Sequence, residues 1–161
     1  MNDTKAKIEK FLDDQYALKV LEAEQQGLHF SYVESASHFS LEDQSNISHA
    51  FQSAGYTDLI AYALEKLNQM PDSFPVSSDI DGISDFDERT SMFNYVLTSK
   101  DGKCFIVCTT EDYYIVCGTQ HFVELALSKS IESAKNDFLE FAQTPGFSQS
   151  QREFLLNLLE Q

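Results

Sequence analysis

The sequence predicts an α+β fold in a single domain, residues 1–161, with N-terminal helices, a three-stranded antiparallel meander and C-terminal helices. Two observations support this prediction. Apolar residues recur at helical spacing in both halves of the chain, and three short apolar runs, "MFNYVLTS", "CFIVCTT" and "YYIVCG", follow one another between them. Because the strands are grouped and do not alternate with helices, the sheet should be antiparallel.

The N-terminal part is predicted to contain three helices and one extended segment. The first helix covers residues 8–23, and the alternating run "LHFSYV" after it allows a short strand or an extended loop. A second helix should begin at Ser40, with Asp43 three residues later as a capping-box partner. A third helical stripe covers residues 57–67.

Residues 71–90 are predicted to form an acidic loop that joins a helical half to a sheet-containing half. Pro71 and Pro75 lie in this segment, and it shows no helical period. Apolar residues three apart, Ile80, Ile83 and Phe86, could hold the loop against the body of the protein while its acids point outward.

The loop sequence "SSDIDGISDFDERT" invites comparison with a calcium-binding loop, and the comparison fails. An EF-hand loop needs glycine at its sixth position and a bidentate glutamate at its twelfth. In the frame that starts at Asp79 these positions hold Ser84 and Thr90. The frame that starts at Asp81 fails at the same two positions. An exposed acidic surface is therefore the better interpretation.

The meander is defined by its turns. Asp101-Gly102 between two apolar runs predicts a two-residue hairpin in which both turn residues have positive φ, and this register pairs Val96 with Val107. The middle strand is apolar at every position, which is typical of a central strand. After the meander, further helices should begin near Thr119 and at Ser148.

Charge is the strongest functional signal in the sequence. The net charge is −15, and residues 20–88 alone carry −12, because they contain thirteen acids and only one base, Lys66. Such a field repels nucleic acid and anionic membranes and attracts basic proteins or cations. Solubility alone is the competing explanation. No secretory signal and no membrane-length apolar run are visible, so we expect a cytoplasmic protein.

The three cysteines and His121 give the spacing C-x3-C-x8-C-x3-H, which resembles a Cys3His zinc set. However, Cys104 and Cys108 fall on one predicted strand, about 13 Å apart, which is too far for ligands of one zinc ion. The cysteines, with Cys117, are better explained as small buried hydrophobes in a reducing compartment. We therefore predict no metal and no cofactor.

No catalytic motif is present, since the phosphate-loop, dinucleotide, nucleophile-elbow and zinc-protease patterns are all missing. Four histidines, His29, His38, His49 and His121, have no partner that the sequence identifies; Ser37 is only adjacent to His38. Tyr113 and Tyr114 are neighbours on a strand, so we expect them to face opposite sides of the sheet, and one that is exposed would be a candidate interface anchor.

The leading hypothesis is a small acidic cytoplasmic protein that binds and inhibits a basic protein partner, such as a toxin nuclease. In charge and size the chain is similar to bacterial immunity proteins. Seven acids are predicted to bind the partner: Glu42, Asp43, Asp79, Asp81, Asp85, Asp87 and Glu88. Two alternatives remain open, namely an adaptor or secretion chaperone with an apolar groove, and an enzyme whose site is assembled only by folding.

Overall fold

The computed structural model describes residues 3–36 and 38–160. The strands in this part of the chain are β1 (His29–Glu34), β2 (Asp58–Ala63), β3 (Ser73–Ser77), β4 (Tyr95–Ser99), β5 (Phe105–Cys108) and β6 (Tyr113–Gly118). The helices are α1 (Asp3–Glu9), α2 (Val20–Gln25), α3 (Leu41–Ser53), α4 (Ile80–Thr90), α5 (Gln120–Leu127), α6 (Ile131–Ala142) and α7 (Gln149–Leu158). None of these helices is long and apolar enough to cross a membrane.

All six strands belong to one antiparallel sheet with the order β1-β6-β5-β4-β2-β3. Helices cover both faces of it. One core cluster joins α3, α4 and α5 to the face that contains Leu97 and Ile106. The other joins α1, α2, α6 and α7 to the face that contains Val96 and Val107. The α+β class is therefore confirmed, and the sheet forms the middle layer between two layers of helices.

The predicted three-stranded meander is not matched, because the sheet has twice as many strands. The largest error concerns residues 57–67, which were predicted to be helical and instead contain β2. Leu59 and Ala61 belong to one core cluster, whereas Ile60 and Tyr62 pack with the other. A strand that is covered on both faces is apolar at nearly every position, and such a run cannot be distinguished from a buried helix by periodicity.

Residues 71–90 are not a loop, and they do not separate a helical half from a sheet-containing half. Their first part is the edge strand β3, in which Phe74 and Val76 are buried and Pro75 is exposed. Proline is tolerated there because an edge strand does not need every N–H group for the ladder. The second part is α4, an amphipathic helix that buries Ile83 and Phe86.

The predicted first helix is broken into α1 and α2 by an irregular segment of ten residues. Within that segment the Asp13 carboxylate accepts hydrogen bonds from the backbone N–H groups of Gln15 and Ala17. Tyr16 adopts a positive φ of 64°. Aspartate side chains compete in this way with helical hydrogen bonding, and this explains why the apolar stripe does not continue as one helix.

Local signals elsewhere agree with the structure. Ser40 caps α3, and its side chain and that of Asp43 form the reciprocal capping box. Val96 pairs with Val107, as the hairpin register predicts. The turn itself differs, because Gly102 has a positive φ of 74° and Asp101 does not. Instead, the Asp101 carboxylate accepts hydrogen bonds from the Ser99 hydroxyl and the Lys103 N–H group.

Candidate partner-binding surface and acidic pocket

Helices α3 and α4 lie side by side on one face of the sheet and run in opposite directions. The N–H group of Phe39, just before α3, donates to Asp87 Oδ1 near the end of α4, at 3.0 Å. Farther along α3, the Ser48 hydroxyl donates to the carbonyl oxygen of Ser78, just before α4, at 2.6 Å. The start of α3 is therefore beside the end of α4, and the exposed sides of both helices form one continuous surface.

Helix α4 aligns three acids on its exposed side. Asp81, Asp85 and Glu88 are exposed and recur four and three residues apart, while Ile83 and Phe86 occupy the buried side. Residues at this spacing lie above one another on a helix. We call these three residues the acidic stripe. Arg89 lies beside it and pairs with Asp85 at 3.8 Å, and its guanidinium group also covers the ring of Phe74.

Two of the other predicted partner-binding acids, Asp79 and Asp43, have structural contacts, whereas among the described residues Glu42 has none. Asp79 is exposed, but its carboxylate caps α4 by accepting the Gly82 N–H group at 2.7 Å. Asp43 is half-buried and completes the capping box of α3. Glu42 is exposed in the first turn of α3 and has no such contact in the part of the chain that the structure describes.

The structure turns Asp87 away from solvent, since its side chain is only 14% exposed. It points inward to Phe39 and to His38, whose Nδ1 atom is 3.6 Å from Asp87 Oδ1. Burial raises the pKa of the Asp87 carboxyl group, and the nearby charge of Asp43 raises it further. The prediction of an outward-pointing carboxylate is therefore wrong for Asp87, because its helical phase turns it toward the core.

His38 is buried, with a backbone φ of 66°. Neither ring nitrogen has a hydrogen-bond partner among the described residues, although the backbone carbonyl groups of Phe93 and Thr109 are near enough to favour the protonated ring. Burial dominates and lowers the pKa of His38 to about 4. His38 is thus a neutral core residue at pH 7. The adjacent Ser37 lies outside the described residues.

Large exposed apolar side chains flank this surface. Leu41 at the start of α3 is 82% exposed, and Met92, two residues after α4, is 73% exposed. The antiparallel arrangement places both at the same end of the helix pair. Tyr113 and Tyr114 face opposite sides of the sheet as predicted, but both are buried, one in each core cluster, so neither can serve as an interface anchor. Leu41 and Met92 are therefore the better candidates for interface anchors.

A pocket of about 200 Å³ opens beside the start of α3, at the β1 edge of the sheet. Its walls are the buried side chains of Tyr32, Tyr114, Ala126, Ala134 and Phe138. Its rim carries Glu34, Glu42, Asp43, Lys129 and Asp137. We call this cavity the acidic pocket, since four carboxylates and one ammonium group surround apolar and aromatic walls.

The rim of the acidic pocket already holds one cation of the protein. Lys129 Nζ is 2.6 Å from Asp137 Oδ2. This hydrogen bond raises the pKa of Lys129, and the charges of Glu42 and Asp43 across the pocket raise it further. The residue before it, Ser128, has a left-handed φ of 56° that ends α5 and brings the chain back toward α6. The electrostatic field at the rim thus favours a cation.

The remaining candidate residues do not form a second site of this kind. His49 lies in a shallow depression with Asp79 and Asp81, and His29 and His121 are exposed. Burial raises the pKa of the thiol of all three cysteines, Cys104, Cys108 and Cys117. Within residues 3–36 and 38–160, no group of three or more His, Cys, Asp or Glu side chains is placed to hold a metal ion.

Comparisons with known proteins supply no family for this chain. No family model matches it, and no curated protein or solved structure shows significant similarity to it.

Proposed function

We propose that the protein binds and inhibits a basic protein partner through the surface formed by α3 and α4. The alignment of Asp81, Asp85 and Glu88 along the exposed side of α4 carries this proposal. Glu42 extends the same charge onto α3. A toxin nuclease is a fitting partner, because its phosphate-binding surface is basic and an acidic stripe could block it, as in an immunity protein.

The seven acids have different roles in this proposal. Glu42, Asp81, Asp85 and Glu88 steer the partner and meet its basic groups. The remaining three acids hold the helices in position: Asp43, Asp79 and Asp87. Steering raises the association rate constant more than it raises affinity, whereas affinity depends on a few anchors that become fully buried. Leu41 and Met92 are suited to that second role because they are large, apolar and exposed.

Charge-reversal variants test whether the partner binds the acidic stripe itself or responds only to the net negative charge of the protein. The stripe variant Asp81→Lys, Asp85→Lys, Glu88→Lys is compared with a control variant, Glu22→Lys, Glu24→Lys, Glu140→Lys, whose exposed acids lie on helices of the opposite layer. Both variants change the net charge equally. Circular dichroism and thermal unfolding show whether both still fold.

The measurement is the association rate constant for a basic partner captured from the host at low salt, followed over a series of salt concentrations. The stripe variant should lower this rate constant about tenfold or more, and the control should change it little. Equal effects of the two variants would refute the proposed surface. Binding that salt barely weakens would instead favour an adaptor or chaperone that uses an apolar groove.

A further inference from the structure

We propose that Pro75 blocks the free edge of β3 and so keeps this strand from pairing with β3 of a second copy of the chain. β3 is an edge strand, because it pairs with β2 and stands last in the strand order of the sheet. An edge strand presents backbone N–H and C=O groups to which a further strand can bind. This role of Pro75 is independent of the proposed function.

Two hydrogen bonds at the ends of the β2–β3 ladder show which backbone groups take part in it. The N–H group of Ala63 donates to the carbonyl oxygen of Asp72 at 2.8 Å. At the other end, the N–H group of Ser78 donates to the carbonyl oxygen of Thr57 at 3.1 Å. Both pairs continue the register of the two strands. Since hydrogen-bonded and non-hydrogen-bonded pairs alternate in an antiparallel ladder, every second residue counted from Asp72 turns its backbone groups toward β2.

Pro75 lies at an outward position in this pattern. The backbone groups of Phe74 and Val76 face β2, and the residues whose backbone groups face away from the sheet are Ser73, Pro75 and Ser77. Proline has no N–H group, so the edge lacks a donor at its centre. The Ser77 carbonyl oxygen is obstructed as well, because a Cβ atom added to Gly82 of α4 would lie 2.0 Å from it. The edge therefore lacks its central donor and one terminal acceptor.

A second copy of the chain would meet this edge in a defined register. Two antiparallel β3 strands related by a twofold axis would pair Ser73 with Ser77 and Pro75 with Pro75. Neither residue of the central pair can donate, so the pairing loses both hydrogen bonds at its middle. A shift by two residues does not recover them, because each proline then faces a serine and still has no N–H group to offer.

The acidic stripe opposes the same contact by charge. Helix α4 covers β3, with the Phe86 ring 6.3 Å from the Phe74 ring. A twofold axis perpendicular to the sheet would bring α4 of both copies to one face, where the stripes of Asp81, Asp85 and Glu88 would approach each other. Like charges at an interface repel, and salt screens this repulsion. The two β3 edges are thus kept apart by a missing donor and by electrostatic repulsion.

The opposite edge of the sheet is protected in a different way. The edge strand there is β1, and α6 packs against it with the Phe138 ring 5.5 Å from the Tyr32 ring. Ser31 and Tyr32 of β1 are buried, and β1 contains no proline. At β3, by contrast, the residues at the outward positions are exposed. The proline is therefore found at the exposed edge.

Pro75→Thr tests this role, because it restores the missing donor with a residue that favours strands. Self-association, measured by sedimentation velocity over a concentration series, should increase about tenfold or more, the effect of two added hydrogen bonds in a symmetric pair. Added salt should strengthen this dimer, because it screens the repulsion between the stripes. Partner binding through the acidic stripe should instead weaken with salt, so the two associations are distinguishable.

Two further variants locate the contact. Ser73→Thr adds strand propensity at another outward position without adding an N–H group, and it should stay as monomeric as the parent. Ser73→Pro, added to Pro75→Thr, moves the missing donor by two residues along the same edge and should reverse the dimerisation. Circular dichroism shows whether each variant folds. In the parent, amide hydrogen exchange should be slow for Phe74 and Val76 and fast for Ser73 and Ser77.

Four results would overturn this role of Pro75. They are a folded Pro75→Thr protein that stays monomeric at high salt, equal dimerisation of Ser73→Thr, a dimer that Ser73→Pro leaves unchanged, and slow exchange of the Ser73 and Ser77 amides in the monomeric parent. The exchange measurement needs no variant, so it decides the orientation of the edge even if a variant fails to fold. None of these results concerns the association of the acidic stripe with a basic partner, which is tested separately.

Discussion

Gly82 provides a sensitive test of how α4 packs on the sheet. It is the third residue of α4, and a Cβ atom added to it would lie 2.0 Å from the carbonyl oxygen of Ser77 and 2.7 Å from its carbonyl carbon. The obstacle is backbone at the end of β3, so it cannot rotate away as a long side chain could. Gly82→Ala therefore has to push α4 away from β3.

The sign of the stability change distinguishes three arrangements. In a loop, Gly82→Ala would have little effect, and in an unobstructed helix it would stabilise the protein by about 1 kcal/mol. Here the gain in helix propensity is opposed by overpacking, which should cost about 2–3 kcal/mol, the upper part of the usual range, because the added Cβ would lie 2.0 Å from a backbone oxygen. We therefore expect a net loss of about 1–2 kcal/mol. The control Ser84→Ala, in the same helix, should change stability by only a few tenths of a kcal/mol.

Urea unfolding followed by circular dichroism measures both variants, and a common m-value shows that the unfolding transition is comparable. A Gly82→Ala protein as stable as the parent, or more stable, would refute the close approach of α4 to β3. The fixed orientation of the acidic stripe would then lose its structural basis.

The remaining predictions concern buried groups. The pKa of His38 in the folded protein, about 4, is below its ordinary value of 6.5. As the pH falls, the unfolded chain therefore takes up this proton first. The free energy of unfolding should decrease as the pH is lowered from 6.5 to 4, by up to about 3 kcal/mol. The raised pKa of Asp87 acts in the opposite direction at the acidic end of this range. His38→Asn, which tolerates the left-handed backbone, should flatten the dependence, and an unchanged slope in urea unfolding would contradict this account. Burial raises the pKa of the Cys104 thiol to about 11 and those of Cys108 and Cys117 well above the ordinary value; a thiol reagent at pH 8 should therefore label all three cysteines only after unfolding, and rapid labelling of the native protein would show that a thiol is accessible.

The parts of the fold that the sequence predicts well are those with local chemical signals. Ser40, Thr119 and Ser148 each cap a helix with their hydroxyl groups, as their positions indicate. In the hairpin of β4 and β5, the turn alone is enough to fix the register in which Val96 pairs with Val107. Such signals act over a few residues and do not depend on the rest of the chain.

The errors occur where tertiary packing decides the structure. Strand β2 is apolar at nearly all positions because helices cover both of its faces, and those helices come from other parts of the chain. Helix α4 has few buried residues and includes Gly82, and it follows an edge strand that contains Pro75. Each of these local features is also typical of a loop. Its N-cap, Asp79, is one of several acids in this stretch, so its sequence position alone does not distinguish a helix cap from a surface charge.

The same limit applies to the candidate site. The sequence identifies the acidic residues but not their exposure, and Asp87 and Glu88 show the difference because one points inward and its neighbour is exposed. Only the helical phase of α4 distinguishes them. The acidic pocket could not be predicted, since Lys129 is distant in the chain from Glu34 and Asp43 and meets them only when α3 and α6 pack at the edge of the sheet.

The helical state of α4 changes the physical argument for partner binding. Acids on a loop would have to be ordered when a partner binds, at a cost of about 1–2 kcal/mol for each residue whose backbone becomes fixed. The acids of α4 are already fixed, because Ile83 and Phe86 are buried and Asp79 caps the helix. Asp81 and Glu88 are seven residues apart, which is about 10 Å along a helix axis. The stripe therefore offers a partner a short row of charges with constant spacing, and specificity can arise from that spacing as well as from the net charge.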